Sequence, residues 1–409
     1  MDKRKILLLF LVLILFIAMG CRKGETPKDE MGQSGVTKEE VTEKEEVDFV
    51  LEKVNEMTID EKIGQLLIVG IDGYNIDEKT IKMIQKYHIG GFILFNRNIQ
   101  DANQTISLIN SLKETNESND IPLFISLDEE GGRVTRLPHE FIKTPSSKKI
   151  GKKDDEIFTY EIGKTIGRNV KSLGFNLDFA PVLDIFSNPN NTVIGDRAFG
   201  TNPKIVWKHG IQLMNGIKSE NIIPVIKHFP GHGDTTVDSH EDLPFIDKNL
   251  GQIENFELIP FKKAIEKGAE VIMVSHIMLP NIDEANPATL SEKIINNILR
   301  EELGFDGVII TDDMTMGAIV KNYDIGDASV KSLKAGSDII LVCHDYENYI
   351  KVINAIKDAV DNGEISLDCI NQKVYRILKL KEKYNIEDRR IDSIDVEELN
   401  KETRSVLDE

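Results

Sequence analysis

From Phe49 onward the chain alternates short apolar runs with longer amphipathic stretches. The runs are Leu66–Gly70, Phe92–Phe95, Leu123–Leu127, Leu177–Ala180, Ile222–Ile226, Val271–Ser275, Val308–Ile310 and Ile339–Val342. They have strand length and little polar alternation, as strands buried on both faces do. Between them, Glu78–Tyr87, Asp101–Thr115, Phe158–Ser172, Lys204–Ser219, Phe256–Gly268, Glu292–Leu303 and Ile325–Lys334 read as helices, with apolar residues at three- and four-residue spacing. Ser366–Tyr384 reads as a final amphipathic helix. Repeated strand-helix alternation predicts an α/β fold, a (β/α)8 TIM-like barrel in a single catalytic domain. An open doubly wound sheet has the same periodicity, but no GxGxxG follows the first run, which weakens a dinucleotide-binding reading.

The densest chemistry follows the fifth run. Residues 227–241 hold Lys227, His228, His232, Asp234, Asp238, His240 and Glu241, with Pro230, Gly231 and Gly233 breaking regular structure among them. The strand is expected to stop at Lys227, and Pro224 within it to cost a ladder bond or make a bulge. Asp238 and His240 stand two apart, so the carboxylate can hold one imidazole nitrogen and leave the other for proton transfer. A metal site is the competing reading of the three histidines, but Pro230 and Gly231 spoil the helical HxxxH spacing and no Cys is near, so no metal is assigned.

In a barrel, polar residues at strand C-termini are the functional candidates. The third run ends in Asp128, Glu129 and Glu130 ahead of Gly131-Gly132, Arg133 and Arg136. The glycine pair permits close backbone approach to a ligand. The fourth leads to Asp184 and then to Asp196-Arg197, the sixth to Ser275-His276 and the seventh to Asp312-Asp313. Of two successive carboxylates in extended chain, one points inward and the other away. His344 follows the eighth run without companions and reads as a loop residue; His88, His139 and His209 receive no role, and Trp207 reads as core. A carboxylate at one strand end, an Asp-His pair at another and the donors Arg136, Arg197, Lys227 and His228 suit a hydroxyl-rich substrate. Retaining glycoside hydrolysis needs a carboxylate nucleophile and a separate acid/base, and His240 oriented by Asp238 can be the latter.

The N-terminus changes the setting. Lys3, Arg4 and Lys5 precede an uncharged stretch, Ile6–Met19, then Gly20 and Cys21, which is short for a spanning helix and right for a signal segment. Residues 1–20 are therefore expected to be a lipoprotein signal peptide with Cys21 lipidated, placing the chain outside the cytoplasm on a membrane surface; an uncleaved anchor is the alternative. Residues 21–46, nearly free of apolar side chains, are expected to be a flexible tether. Residues 47–386 form the barrel domain, and 387–409 a charged C-terminal tail, either a surface helix or frayed. A formal net charge of −19 without a basic stripe disfavours nucleic acid. Only Cys343 and Cys369 follow Cys21, so the fold must rest on its core.

The segments LDEEGGRVTR, DFAPVLDI, GDRAFG, KHFPGHGDTTVDSH, NPATLS and GVIITDDMTM closely resemble those of family 3 glycoside hydrolases. The match is to the β-N-acetylglucosaminidases that trim cell-wall fragments, over about residues 47–386. The resemblance implies a nucleophile at Asp312, a proton donor at His240 with Asp238 as partner, and sugar binding by Asp128, Arg136, Arg197, Lys227 and His228. It implies a covalent glycosyl-enzyme, release of terminal β-linked N-acetylglucosamine from an oligosaccharide partner, and no cofactor; the chain is separately expected to be a monomer. A family 3 phosphorylase or β-glucosidase stays open beside it, as does a non-catalytic sugar-binding lipoprotein.

Overall fold

The computed structural model describes residues 48–235 and 243–408; Cys21, Asp238 and His240 lie outside the described residues. The strands are β1 Leu67–Gly70, β2 Gly91–Ile93, β3 Phe124–Leu127, β4 Leu177–Asp178, β5 Ile223–Phe229, β6 Val271–Val274, β7 Met278–Leu279, β8 Asp283–Pro287, β9 Val308–Thr311 and β10 Ile340–Val342. Apart from the β7–β8 antiparallel pair, they form one eight-stranded parallel sheet in the order β10-β1-β2-β3-β4-β5-β6-β9. Thr311 N–H donates to the Ile339 carbonyl (3.0 Å) and Met314 N–H to that of Leu341 (2.9 Å), which returns β9 to β10 and closes the barrel. Every residue of β1, β3, β5 and β6 is buried, as continuous apolar runs in a helix-wrapped parallel sheet should be.

The helices start where short polar side chains can satisfy their first N–H groups. Asp101, Asp155, Asn202, Asp324 and Ser366 each accept from a backbone N–H in the first turn, a cap worth about 1 kcal/mol. Lys293–Glu302 forms with the wider π-type pitch. Tyr346–Asp361, a helix that the pattern reading did not single out, follows β10.

Two expectations about β5 are corrected. Pro224 costs no register: it pairs with Asp178 in line with its neighbours. The irregularity instead falls between Ile226 and Phe229, around the cis peptide Lys227–His228. The strand also does not stop at Lys227. Its backbone continues pairing, with Lys227 N–H donating to Pro181 O (3.1 Å) and Leu183 N–H to Lys227 O (2.6 Å). Side-chain polarity does not end a ladder that has a partner strand.

Beyond residue 386 the chain is not frayed. Val396–Leu407 is a helix packed against Glu156–Ser172, with Arg168 paired to Glu402. Asn400 Oδ1 accepts from Ile142 N–H (2.7 Å), and its Nδ2 donates to Glu140 O (2.7 Å). At the N-terminal ends of the strands, Lys381 donates to Gln65 Oε1 (2.8 Å), Gly90 O (2.9 Å) and Pro122 O (2.7 Å). This buried amine ties the starts of β1, β2 and β3 together and forms part of the barrel floor.

Candidate active site

At the opposite end the strand C-termini surround a cavity of about 250 Å³. Its polar wall includes Asp128, Glu130, Arg136, Arg197, Lys227, His228, His232, Asp312 and Asp313. All five sugar-binding candidates read from the sequence, and the nucleophile candidate Asp312, therefore meet there. Its apolar wall includes Ile93, Phe95, Phe179, Val193, Ile194, Met273 and Met316.

The loop after β3 is shaped to deliver alternate side chains inward. Glu129 turns away from the cavity, and its Oε2 accepts from Thr135 Oγ1 (2.7 Å) and the N–H groups of Arg136 (2.8 Å) and Leu137 (3.2 Å). Burial pushes its carboxyl up to about 7 against those bonds. Asp178, at the end of β4, accepts from Glu129 N–H (2.8 Å); burial raises its carboxyl well above the ordinary range. The Gly131-Gly132 turn has positive φ at both residues, and a Cβ on either would lie 2.5–2.6 Å from Thr144 or Ser146. The turn therefore packs closely against the chain itself at Thr144–Ser146.

Glu130, facing the other way, sits between two cations. Arg197 meets it through two N–H···O bonds of 2.7 Å, and Lys227 Nζ lies 2.7 Å from its Oε1. Lys227 also donates to Asp128 Oδ1 (2.6 Å), and Arg136 lies 3.9 Å from the other Asp128 oxygen. Burial alone would raise the Glu130 carboxyl, but Arg197 and Lys227 hold it well below the usual range. By the same balance, burial works against the Lys227 ammonium, yet Asp128 and Glu130 keep it above its ordinary value. Alternating charges make this burial tolerable, since each ion replaces lost water with a partner. Arg136 Nε is buried with no hydrogen-bond partner among the described residues.

His228 extends the row. Its Nδ1 lies 2.6 Å from Asp184 Oδ2, and its Nε2 lies 3.3 Å from an Arg197 nitrogen. Burial, with His228 close by, pushes His232 down to about 4, so that ring is neutral at neutral pH. Across the cavity, Asp312 N–H is anchored to Val274 O (2.9 Å). Asp313 does not point away as strict alternation required, because the strand ends at Thr311 and the chain turns. Instead it borders the cavity while its oxygens accept from Thr315 N–H (2.9 Å), Thr315 Oγ1 (2.6 Å) and Cys343 N–H (3.0 Å). Asp313 is a brace for the turn.

Sequence reasoning missed several members. Glu130 and Asp184 were seen at strand ends but given no role, because their partners lie on other strands. His344, set aside as a loop residue, stacks on Phe95 at the rim (centroids 5.6 Å apart) and lies 3.9 Å from Asp313. His209 is buried between Thr159 Oγ1 (2.7 Å) and Asp154 (2.9 Å), far from this chemistry in role. Trp207 packs half-buried on the core.

Comparison with known proteins places this geometry. The profile described as "Glycosyl hydrolase family 3 N terminal domain" matches residues 58–380. A curated relative, beta-hexosaminidase A of Pseudoalteromonas piscicida, is 35% identical over 326 residues, 74% of this chain; the alignment covers 54% of that enzyme's length. The beta-hexosaminidase of Nitrosomonas eutropha is 33% identical over 77% of this chain and 92% of its own. The solved structure of a glycoside hydrolase family 3 β-N-acetylglucosaminidase from Paenibacillus sp. FPU-7 superposes with a TM-score of 0.81 at 36% identity, covering 86% of this chain and 68% of that one. With that match over most of its length, the chain belongs to glycosyl hydrolase family 3.

Proposed function

We propose that the protein is a retaining exo-glycosidase that releases terminal β-linked N-acetylglucosamine from cell-wall fragments or related oligosaccharides. The observation that carries this reading is that Asp312 and the Asp128–Lys227–Glu130–Arg197–His228 row border the same cavity. Its size, about 250 Å³, is below the roughly 300–1,000 Å³ of drug-sized pockets and suits one sugar ring. Lys227, Arg136 and Arg197 donate to hydroxyl oxygens, while Asp128 and His228 accept from hydroxyl hydrogens. Held this way, the ring presents its anomeric carbon to Asp312. The Asp312 carboxylate forms the C1–O bond as the glycosidic bond breaks, and His240, steadied by Asp238, gives its proton to the departing oxygen. Water then attacks C1, returns its proton to His240 and frees Asp312, leaving the sugar with its β configuration. The similarity to β-hexosaminidases supports N-acetylglucosamine over glucose. The enzyme works as a monomer held outside the cytoplasm by a lipid on Cys21.

The decisive comparison is hydrolysis of a chromogenic β-N-acetylglucosaminide against the matching β-glucoside. A strong preference for the first supports the reading; preference for the second overturns the substrate. Leaving-group dependence tests the acid. His240→Ala should lose about 10²–10⁴-fold more activity on a disaccharide than on an activated aryl glycoside, because only the former needs a proton as the bond breaks. Equal losses on both would move the acid elsewhere, first to Glu241. Cys21→Ser should detach the protein from membranes; a variant that stays there with unchanged mass contradicts the anchor.

A further inference from the structure

Asp184 is wholly buried and does not border the cavity, yet three donors converge on it. Its Oδ1 accepts from the backbone N–H of His232 (2.6 Å) and, more weakly, of His228 (3.3 Å). Its Oδ2 faces His228 Nδ1 at 2.6 Å. On the other side of that ring, Arg197 lies 3.3 Å from Nε2. A guanidinium has five N–H donors and no acceptor, so Nε2 must offer its lone pair there and the ring proton must sit on Nδ1. The contact on Asp184 agrees, because an ionised carboxylate only accepts.

We propose that Asp184 is a positioning residue that locks His228 in the Nδ1–H tautomer, so that the single Nε2 lone pair stays at the cavity wall, where it is held by Arg197 and is yielded to the hydroxyl of an entering sugar. The same carboxylate holds the backbone at His232, which fixes the ring's distance from the Gly231–Gly233 turn. Ring tautomer and strand-end backbone are thereby set by one group. The inference rests on the sugar-binding reading of His228, and its tests separate the two.

Asparagine at 184 makes a sharp probe because its orientation is dictated. The two backbone N–H donors keep the amide oxygen at the Oδ1 position, so the NH2 group must face His228 Nδ1. That ring nitrogen then has to accept, the proton moves to Nε2, and Nε2–H meets the donor-only Arg197 with the wrong polarity, while a substrate hydroxyl has to turn from donating to accepting. Loss of one charge-assisted bond and reversal of another predicts a fall in kcat/KM on an aryl β-N-acetylglucosaminide of about 10–100-fold, carried mainly by KM.

Ring ¹⁵N NMR on the full-length protein reads the tautomer directly, without reference to activity. In the wild type, His228 Nδ1 should be protonated and Nε2 bare; in Asp184→Asn the assignment should reverse. A wild-type ring protonated on Nε2 overturns the proposal even if the enzyme is fully active. This measurement decides the matter should the variant fail to fold. A double-mutant cycle supplies the second arm. If Asp184 acts through His228, Asp184→Asn should cost almost nothing further in His228→Ala; full additivity of the two losses would overturn the proposal and leave Asp184 a purely structural group. A protein with the expected tautomer but no glycosidase activity would leave this inference standing and overturn the proposed function instead.

Discussion

Lys227 and Lys381 are buried at opposite ends of one barrel, 2% and 3% exposed, and their amines are shifted in opposite directions. At the mouth, Lys227 bridges two carboxylates, Asp128 and Glu130, which keep its ammonium above the ordinary range despite burial. At the floor, Lys381 donates to neutral oxygens of Gln65, Gly90 and Pro122, and burial pushes it down to about 7 against the opposing charge of Asp388, to which it makes no hydrogen bond among the described residues. Neutral acceptors can satisfy the N–H bonds of a lysine but do not repay the withdrawal of its charge from water. Similar burial therefore marks a clamp with neutral partners at one end and a paired cation bordering the cavity at the other. The difference lies in the directly bonded counter-charge.

Replacing each lysine by methionine should break this symmetry most visibly. Lys227→Met removes charged hydrogen bonds worth about 1.5–3 kcal/mol each, so kcat/KM on an aryl β-N-acetylglucosaminide should fall about 10²–10⁴-fold. It also leaves Glu130 paired with Arg197 alone and Asp128 with only the more distant Arg136, which should lower unfolding free energy by about 1.5–3 kcal/mol in denaturant titrations. Lys381→Met should leave kcat/KM unchanged. A large kinetic loss from the floor variant would show that the two ends are not separable as argued.

The next largest effect is the pH dependence of that floor variant. Between about pH 7 and pH 10 the unfolded chain keeps a proton on Lys381 that the folded chain has released. Wild-type stability should therefore rise with pH through this window, by at most about 1.4 kcal/mol per unit, and the deficit of Lys381→Met should deepen. Lys227, held above its ordinary value, keeps its proton in both states over the same window, so the deficit of Lys227→Met should stay flat. Parallel pH profiles for the two variants would contradict the contrast.

A smaller effect should come from outside both ends. Asn400 pins the backbone at Glu140 and Ile142, in the segment that leads from Arg136 back to the Thr144–Ser146 contact of the glycine turn. Asn400→Ala should cost about 1–3 kcal/mol for two net hydrogen bonds and raise KM more than it lowers kcat. An unchanged KM would remove the C-terminal helix from the account of the mouth.

Much of this organisation was legible in the chain. The eight apolar runs match the eight barrel strands, and Asp128, Arg136, Arg197, Lys227, His228 and Asp312 all reach one cavity, because a strand C-terminus in a parallel barrel can only point to one end. What the sequence hid is pairing across strands. Nothing near Asp184 or Glu130 signals a partner 44 or 67 residues away. The burial of Lys381 depends on carbonyls from three other strand starts, and local pattern makes it one more charge on an amphipathic helix. Pro224 misled for a related reason: a missing N–H matters only where a neighbour needs it. His344 is the exposed loop residue expected, and only its companion was hidden, because the ring it stacks on, Phe95, ends a different run two strands away.

Asp312 as the group that bonds to sugar is the centre of the account, and a fluorinated N-acetylglucosaminide that accumulates the glycosyl-enzyme tests it most directly. Peptide mapping of the trapped protein by mass spectrometry should find the adduct on Asp312, with none on Asp313, whose oxygens are occupied by Thr315 and Cys343. An adduct on Asp313, or turnover that inverts the anomeric centre with no adduct at all, would contradict it.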